Sequence, residues 1–261
     1  MLALFCVLDL NWLTLAIGNS RLHWAWFVGE SLRKTWDTPH LLASYSNWAD
    51  IHPDINCDRP LPLFLASVVP SQTAFWQTYP NLQVITLERL PIKNIYPTLG
   101  IDRALALLGA METYKMPVLV VDAGTALTFT GADGNFSLVG GAILPGLSLQ
   151  FQALGQKTAG LSIVELPTQL PPRFATNTTQ AIQSGIIYTI IASLRDYIQT
   201  WWQQYPDSQV VFTGGDRAII LNYLTAYFPQ LAAKITADGN LIFWGVRSYR
   251  KLYNASIRNS H

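Results

Sequence analysis

The chain has 261 residues, of which 50% are hydrophobic and 13% charged, with a formal net charge of +1. That much apolar material excludes a disordered chain and allows either two similar-sized domains or one large one. The near-neutral balance excludes a broad electrostatic footprint for nucleic acid or anionic lipid and points to a small-molecule partner. The two cysteines, Cys6 and Cys57, and the four scattered histidines, His23, His40, His52 and His261, form neither a disulfide framework nor a zinc pattern. Reducing, cytoplasmic surroundings are therefore expected. The apolar start is interrupted by Asp9 and Asn11 and has no basic residue before it, so residues 1–11 read as an extension rather than a signal peptide. No other segment reaches the roughly 20 uninterrupted apolar residues of a membrane span.

From Trp12 to Gly18 the sequence predicts a strand. Gly18-Asn19-Ser20 then turns the chain into a second β-rich run ending near Phe27, so the pair reads as a hairpin. Leu63 to Val69 is a buried-strand run closed by Pro70, and Leu82 to Thr86 is another. Gly100 to Gly109 opens a helix with Ile101, Leu105 and Leu108 on one face, which sets Asp102 at its N-terminus. Val118 to Thr130 repeats the form of the first hairpin around Gly124-Thr125, with Asp122 ending its first strand. Two hairpins of one form predict a duplicated α/β domain, divided as 1–114 and 115–261. Asn177-Thr178-Thr179 offers a cap for a long helix reaching about Gln204. Its apolar stripe is Ile187, Ile190, Ile191, Leu194, Ile198 and Trp201. Val210 to Gly215 is a strand entering a glycine turn, followed by a helix that includes Ala218 to Leu221.

Three glycine turns, Gly18-Asn19-Ser20, Gly124-Thr125 and Gly214-Gly215, each follow a buried strand. Small residues there let backbone N–H groups and hydroxyls approach a phosphate chain. Neither a Walker A loop nor a dinucleotide glycine fingerprint is present. Asp122 suits a cation near phosphate or the stabilisation of its own turn. Asp102 and Arg103 suit either a helix N-terminus or the positioning of an acceptor hydroxyl beside an anion.

Leu99-Gly-Ile-Asp-Arg103, Val121-Asp-Ala-Gly-Thr-Ala126, Gly140-Gly-Ala-Ile-Leu-Pro-Gly-Leu147, Asn177-Thr178 with Gly185, Thr213-Gly-Gly215 and Ser67-Val-Val-Pro70 together resemble the successive motifs of type III pantothenate kinases. The resemblance spans nearly the whole chain. It implies two actin-like (ribonuclease H-like) domains with an interdomain cleft, a homodimer, and ATP-dependent phosphorylation of pantothenate, the first step of coenzyme A synthesis. It implies that Asp102 is the general base and that Gly100, Arg103 and Thr178 bind pantothenate. ATP falls to Gly18, Asn19, Ser20, Gly124, Thr125, Gly214 and Gly215, together with Mg²⁺. Asp122 takes a monovalent cation, potassium or ammonium.

The sequence departs from the family at Ala16, where the family's first hairpin carries an acidic residue that helps to place the divalent metal and phosphates. No role is carried over to Tyr96. Two alternatives follow: another small-molecule kinase, which Arg103 argues against for a neutral sugar acceptor, and a nucleotide-binding accessory or regulatory protein without kinase activity.

Overall fold

A computed structural model describes residues 10–44, 59–157 and 164–258. Residues 1–9 of the expected extension, with Asp9, lie outside them. The described residues fall into two compact units. One is drawn from Met1–Pro91, Ile95–Glu112 and Ile242–His261, the other from Ile92–Asn94 and Thr113–Leu241.

The first unit holds β1 (Asn11–Ile17), β2 (Leu22–Val28), β3 (Ser31–Thr38), β4 (Leu63–Ser67), the short helix α1 (Pro70–Ala74), β5 (Leu82–Val84) and α2 (Ile101–Thr113). Its five strands lie in the order β3-β2-β1-β4-β5. β1 and β2 form the expected hairpin, and β2 continues antiparallel into β3. β4 and β5 add in parallel through a crossover. One face of this sheet buries Leu13, Leu15, Ile17, Trp24 and Leu65 with Trp76 and Tyr79.

The second unit holds β6 (Val118–Ala123), β7 (Ala126–Ala132), β8 (Leu138–Pro145), α3 (Leu147–Lys157), α4 (Thr178–Gln204), β9 (Gln209–Thr213), α5 (Arg217–Tyr227), α6 (Pro229–Ala232) and β10 (Ile235–Ala237). Its order, β10-β9-β6-β7-β8, is that of the first sheet read from the other edge. The sense of every pairing also matches: β6 runs antiparallel to β7 and parallel to β9, as β1 does to β2 and β4. The two sheets are therefore copies of one topology, and Ala16 and Asp122 hold the same place, second from the end of the central strand.

α4 begins as expected, with the Asn177 side chain accepting from the Gln180 N–H at 2.9 Å. Its predicted stripe is buried from Ile187 to Trp201, against Phe129, Val210 and Phe212 of the sheet. Trp201 needs Gly131 beneath it, because a Cβ there would lie 2.5 Å from the indole.

α7 (Leu241–Arg258) closes the chain and changes the expected division at 114/115, which assigned it to the second copy. Its ring-bearing face packs on the first sheet. Trp244 meets Phe27, with centroids 6.2 Å apart, Tyr249 meets Phe64 at 6.4 Å, and Arg250 lies 4.6 Å over the Trp12 ring. Gly245 passes so close to the Leu105 carbonyl of α2 that a side chain would collide with it. Burial of those rings outweighs sequence proximity. No helix among the described residues is long and apolar enough to cross a membrane.

Candidate active site

In the first unit the turn after β1 is tied at three points. Gly18 donates its N–H to the Arg21 carbonyl at 3.0 Å, its own carbonyl accepts from His40 Nε2 at 2.9 Å, and Val68 after β4 donates to Ile17 O at 3.1 Å. Asn19 and Ser20 remain exposed at the tip.

α2 opens at Ile101, which puts Asp102 in its first turn. Asp102 Oδ1 accepts the Arg103 N–H at 2.8 Å. Gly100 makes room for that carboxylate, since a Cβ at 100 would lie 2.5 Å from Oδ1 and 3.9 Å from Val68 Cγ1. Asp102 is half-buried, whereas Arg103 is buried on the same turn. Arg103 Nη1 donates to the Tyr96 hydroxyl at 3.1 Å, and Tyr96 is fixed in turn by a Leu99 N–H bond to its carbonyl at 3.0 Å. Sequence reasoning carries no role to Tyr96, because the spacing of Tyr96-Pro97 before Gly100 is compressed relative to the family pattern; the hydrogen bond to Arg103 is visible only in the structure. A carboxylate and a planar cation are thus set side by side by one helix terminus, an arrangement suited to an acceptor that carries both a hydroxyl and an anionic group.

In the second unit three chain reversals converge. The Gly124-Thr125 turn is closed by the Gly124 N–H to Ala126 O bond at 3.0 Å. Gly146, after β8, donates to Thr125 O at 2.9 Å and lies so near the Gly124 carbonyl that no side chain fits. Gly214, after β9, approaches from the other side, with a φ of +90° that favours glycine. The Asp216 N–H completes the join to Ala123 O at 2.8 Å. The register sets Asp122 between Thr128 of β7 and Thr213 of β9, a polar row across three strands of the sheet. Burial raises the Asp216 carboxyl above its ordinary value. Gly215 faces open space, since a Cβ there would meet nothing within 4 Å.

Thr178, the first residue of α4, lines a separate apolar groove of about 690 Å³ together with Pro145, Leu154, Ile182 and Gly185. Its link to the phosphate-type turn is Pro145, which pairs with Ala126 in the β7–β8 register.

Within the second unit these groups fit phosphate with a hard cation: carboxylate oxygens at Asp122, the hydroxyl of Thr125 and an open backbone approach at Gly215. Among the described residues there is no group of three or more His, Cys, Asp or Glu that could hold a metal ion.

The fold is also found in solved proteins. Similar structures include a conserved Baf-family protein from Campylobacter jejuni (TM-score 0.61, 22% identity, 94% of this chain and 99% of that one). The activator of 2-hydroxyisocaproyl-CoA dehydratase from Clostridium difficile, with bound ADPNP, is another (TM-score 0.55, 8% identity, 95% and 97%). MreB5 of Spiroplasma citri bound to ADP is a third (TM-score 0.53, 10% identity, 95% and 98%). The paired sheets define the architecture of the actin-like ATPases.

Within that class the chain is specific. Residues 12–200 match the type III pantothenate kinase family. Curated type III pantothenate kinases from a Nostoc species (55% identical, 91% of this chain and 94% of the relative), a Synechocystis species (46%, 90% and 88%) and Thermosynechococcus vestitus (44%, 92% and 90%) align over nearly their whole lengths. The chain belongs to the type III pantothenate kinase family, whose members phosphorylate pantothenate with ATP at the start of coenzyme A synthesis.

Proposed function

We propose that this chain transfers the terminal phosphoryl group of ATP to the primary hydroxyl of pantothenate, giving 4'-phosphopantothenate and ADP, with Asp102 as the acid–base residue. The observation that carries this reading is the Asp102–Arg103 pair at the start of α2, with the carboxylate held by a backbone N–H and the guanidinium held by Tyr96. Asp102 orients the hydroxyl and takes its proton as the new O–P bond forms and the bond to ADP breaks. Arg103 grips the pantothenate carboxylate through its planar fork. Gly100, which leaves room for the Asp102 carboxylate, lies against pantothenate, and Thr178 supplies a further hydroxyl to it.

The turns Gly18-Asn19-Ser20 and Gly124-Thr125 receive the ATP phosphates, and Gly214-Gly215 receives the adenosine side. Mg²⁺ bound with ATP neutralises charge on the phosphates. Asp122 holds a monovalent cation, potassium or ammonium. A homodimer in the cytoplasm completes the reading, and the exposed apolar groove beside Thr178 supports pairing of two copies.

The test is ADP release by the purified protein with ATP and Mg²⁺, with and without pantothenate and potassium. Pantothenate-dependent turnover that potassium stimulates is the expected result. Ala16 favours one other reading, a nucleotide-binding accessory protein. ATP binding without pantothenate-dependent turnover would establish that reading instead.

A further inference from the structure

The duplicated sheets give an internal reference for the first turn. In the second unit the row Thr128–Asp122–Thr213 brings a carboxylate to the end of the central strand. The matching row in the first unit is His23–Ala16–Ala66, so the central position carries only a methyl group. The ionisable group in this row has moved one strand over, to His23, which lies directly opposite Ala16. Directly paired residues share a face, with Cβ atoms about 4.5–5.5 Å apart.

His23 is oriented toward the turn. Its Nε2 lies 3.7 Å from where a Cβ on Gly18 would stand, and Cδ2 lies at 3.8 Å. Its other ring nitrogen, Nδ1, is held 2.8 Å from Asp37 Oδ1. Asp37 is the directly opposite residue on β3, and Arg21 Nη1 steadies its second oxygen at 3.6 Å. The His23 and Asp37 side chains are 43% and 45% exposed, so a solute at the turn can reach them. An imidazole fixed through one nitrogen by a carboxylate presents the other in a set direction. Magnesium prefers oxygen ligands to imidazole, so the chemistry favours phosphate rather than the metal as the group that His23 meets. Between a phosphate oxygen and the Asp37 carboxylate, both ring nitrogens face acceptors.

We propose that His23 binds a phosphate of ATP directly at the Gly18–Ser20 turn, with Asp37 as its positioning residue, so that this chain grips phosphate by a side-chain donor where the second unit offers a carboxylate. The inference rests on the reading that the Gly18 turn receives ATP phosphates.

Calorimetric titration of the full chain with Mg-ATP and with adenosine tests it, in wild type and in His23→Ala, His23→Gln, Asp37→Ala and Asp37→Glu. His23→Ala weakens ATP about tenfold or more, the worth of one charge-assisted hydrogen bond, and leaves adenosine affinity unchanged. His23→Gln, which keeps an N–H donor on a differently shaped side chain, falls between. Asp37→Ala gives a smaller loss that is also confined to ATP, and Asp37→Glu recovers it. Unchanged ATP affinity in His23→Ala overturns the proposal. So does an equal loss for ATP and adenosine, which marks a structural role. A loss seen with Mn²⁺ or Co²⁺ but not with Mg²⁺ overturns it in favour of metal ligation. Wild-type protein that binds adenosine but gains nothing from the phosphates defeats the underlying phosphate reading, a result distinct from failure of the His23 variants alone.

Discussion

Gly214 lies against the Asp122 carboxylate: a Cβ built on it would fall 2.5 Å from Asp122 Oδ1 and 2.5 Å from the carbonyl carbon and oxygen of Ala123. Its φ of +90° adds backbone strain for any side chain. Gly214→Ala is therefore expected to destabilise the protein by about 1–3 kcal/mol and to weaken ATP binding by displacing the strand end that carries Asp122. Urea unfolding and nucleotide titration of the one variant check both effects.

Asp102→Asn keeps the size of the side chain and an acceptor for the Arg103 N–H but loses the base. Turnover is expected to fall at least about a hundredfold, the lower range for a positioned acid–base group, while ATP affinity holds. Steady-state ADP release beside nucleotide titration tests this, and near-wild-type turnover would remove Asp102 from the chemistry.

Tyr96 matters through Arg103. Tyr96→Phe removes the 3.1 Å hydrogen bond to the guanidinium and is expected to raise KM for pantothenate about twofold to tenfold, the range for one hydrogen bond, with little change in kcat. Arg103→Lys, which loses the fork, raises it further. A fall in kcat with an unchanged KM in Tyr96→Phe would contradict a role in substrate grip.

Asp122→Asn removes the charge from the polar row between Thr128 and Thr213. The ratio of turnover with and without potassium is expected to fall to near unity, because a neutral amide binds a monovalent cation more weakly. Retained potassium stimulation would move the cation elsewhere.

Burial raises the Asp216 carboxyl above its ordinary value of 3.8. The folded state therefore holds this proton at a pH where the unfolded chain has released it. Its contribution to stability is present below the unfolded value and is lost as pH rises through the folded one. At neutral pH the ionised group is a cost, so Asp216→Asn is expected to raise Tm there, and the gain is expected to vanish below 3.8. Thermal unfolding across that range checks the sign.

Much of this molecule is legible in local pattern. The hairpins around Gly18 and Gly124, the α2 start that sets Asp102 beside Arg103, and the capped α4 with its stripe from Ile187 to Trp201 all follow from periodicity and turn chemistry. Each depends on neighbours a few residues away. β3 and β8 are not legible in this way, because edge strands such as Ser31–Thr38 alternate half-exposed and exposed residues with little apolar signal.

What only the tertiary structure decided is pairing at a distance. The sequence marks Ala16 as a departure but cannot show that His23 faces it and that Asp37 faces His23, since both follow from strand register. It shows Asp122 and Gly214 as separate turns, and the parallel crossover of β9 beside β6 brings them into contact. It assigns the last helix by chain position, whereas burial of Tyr249 and its neighbouring rings on the first sheet assigns it by packing. Local propensity acts through the next few residues, but register, crossover and burial are settled by which distant surfaces exclude water together.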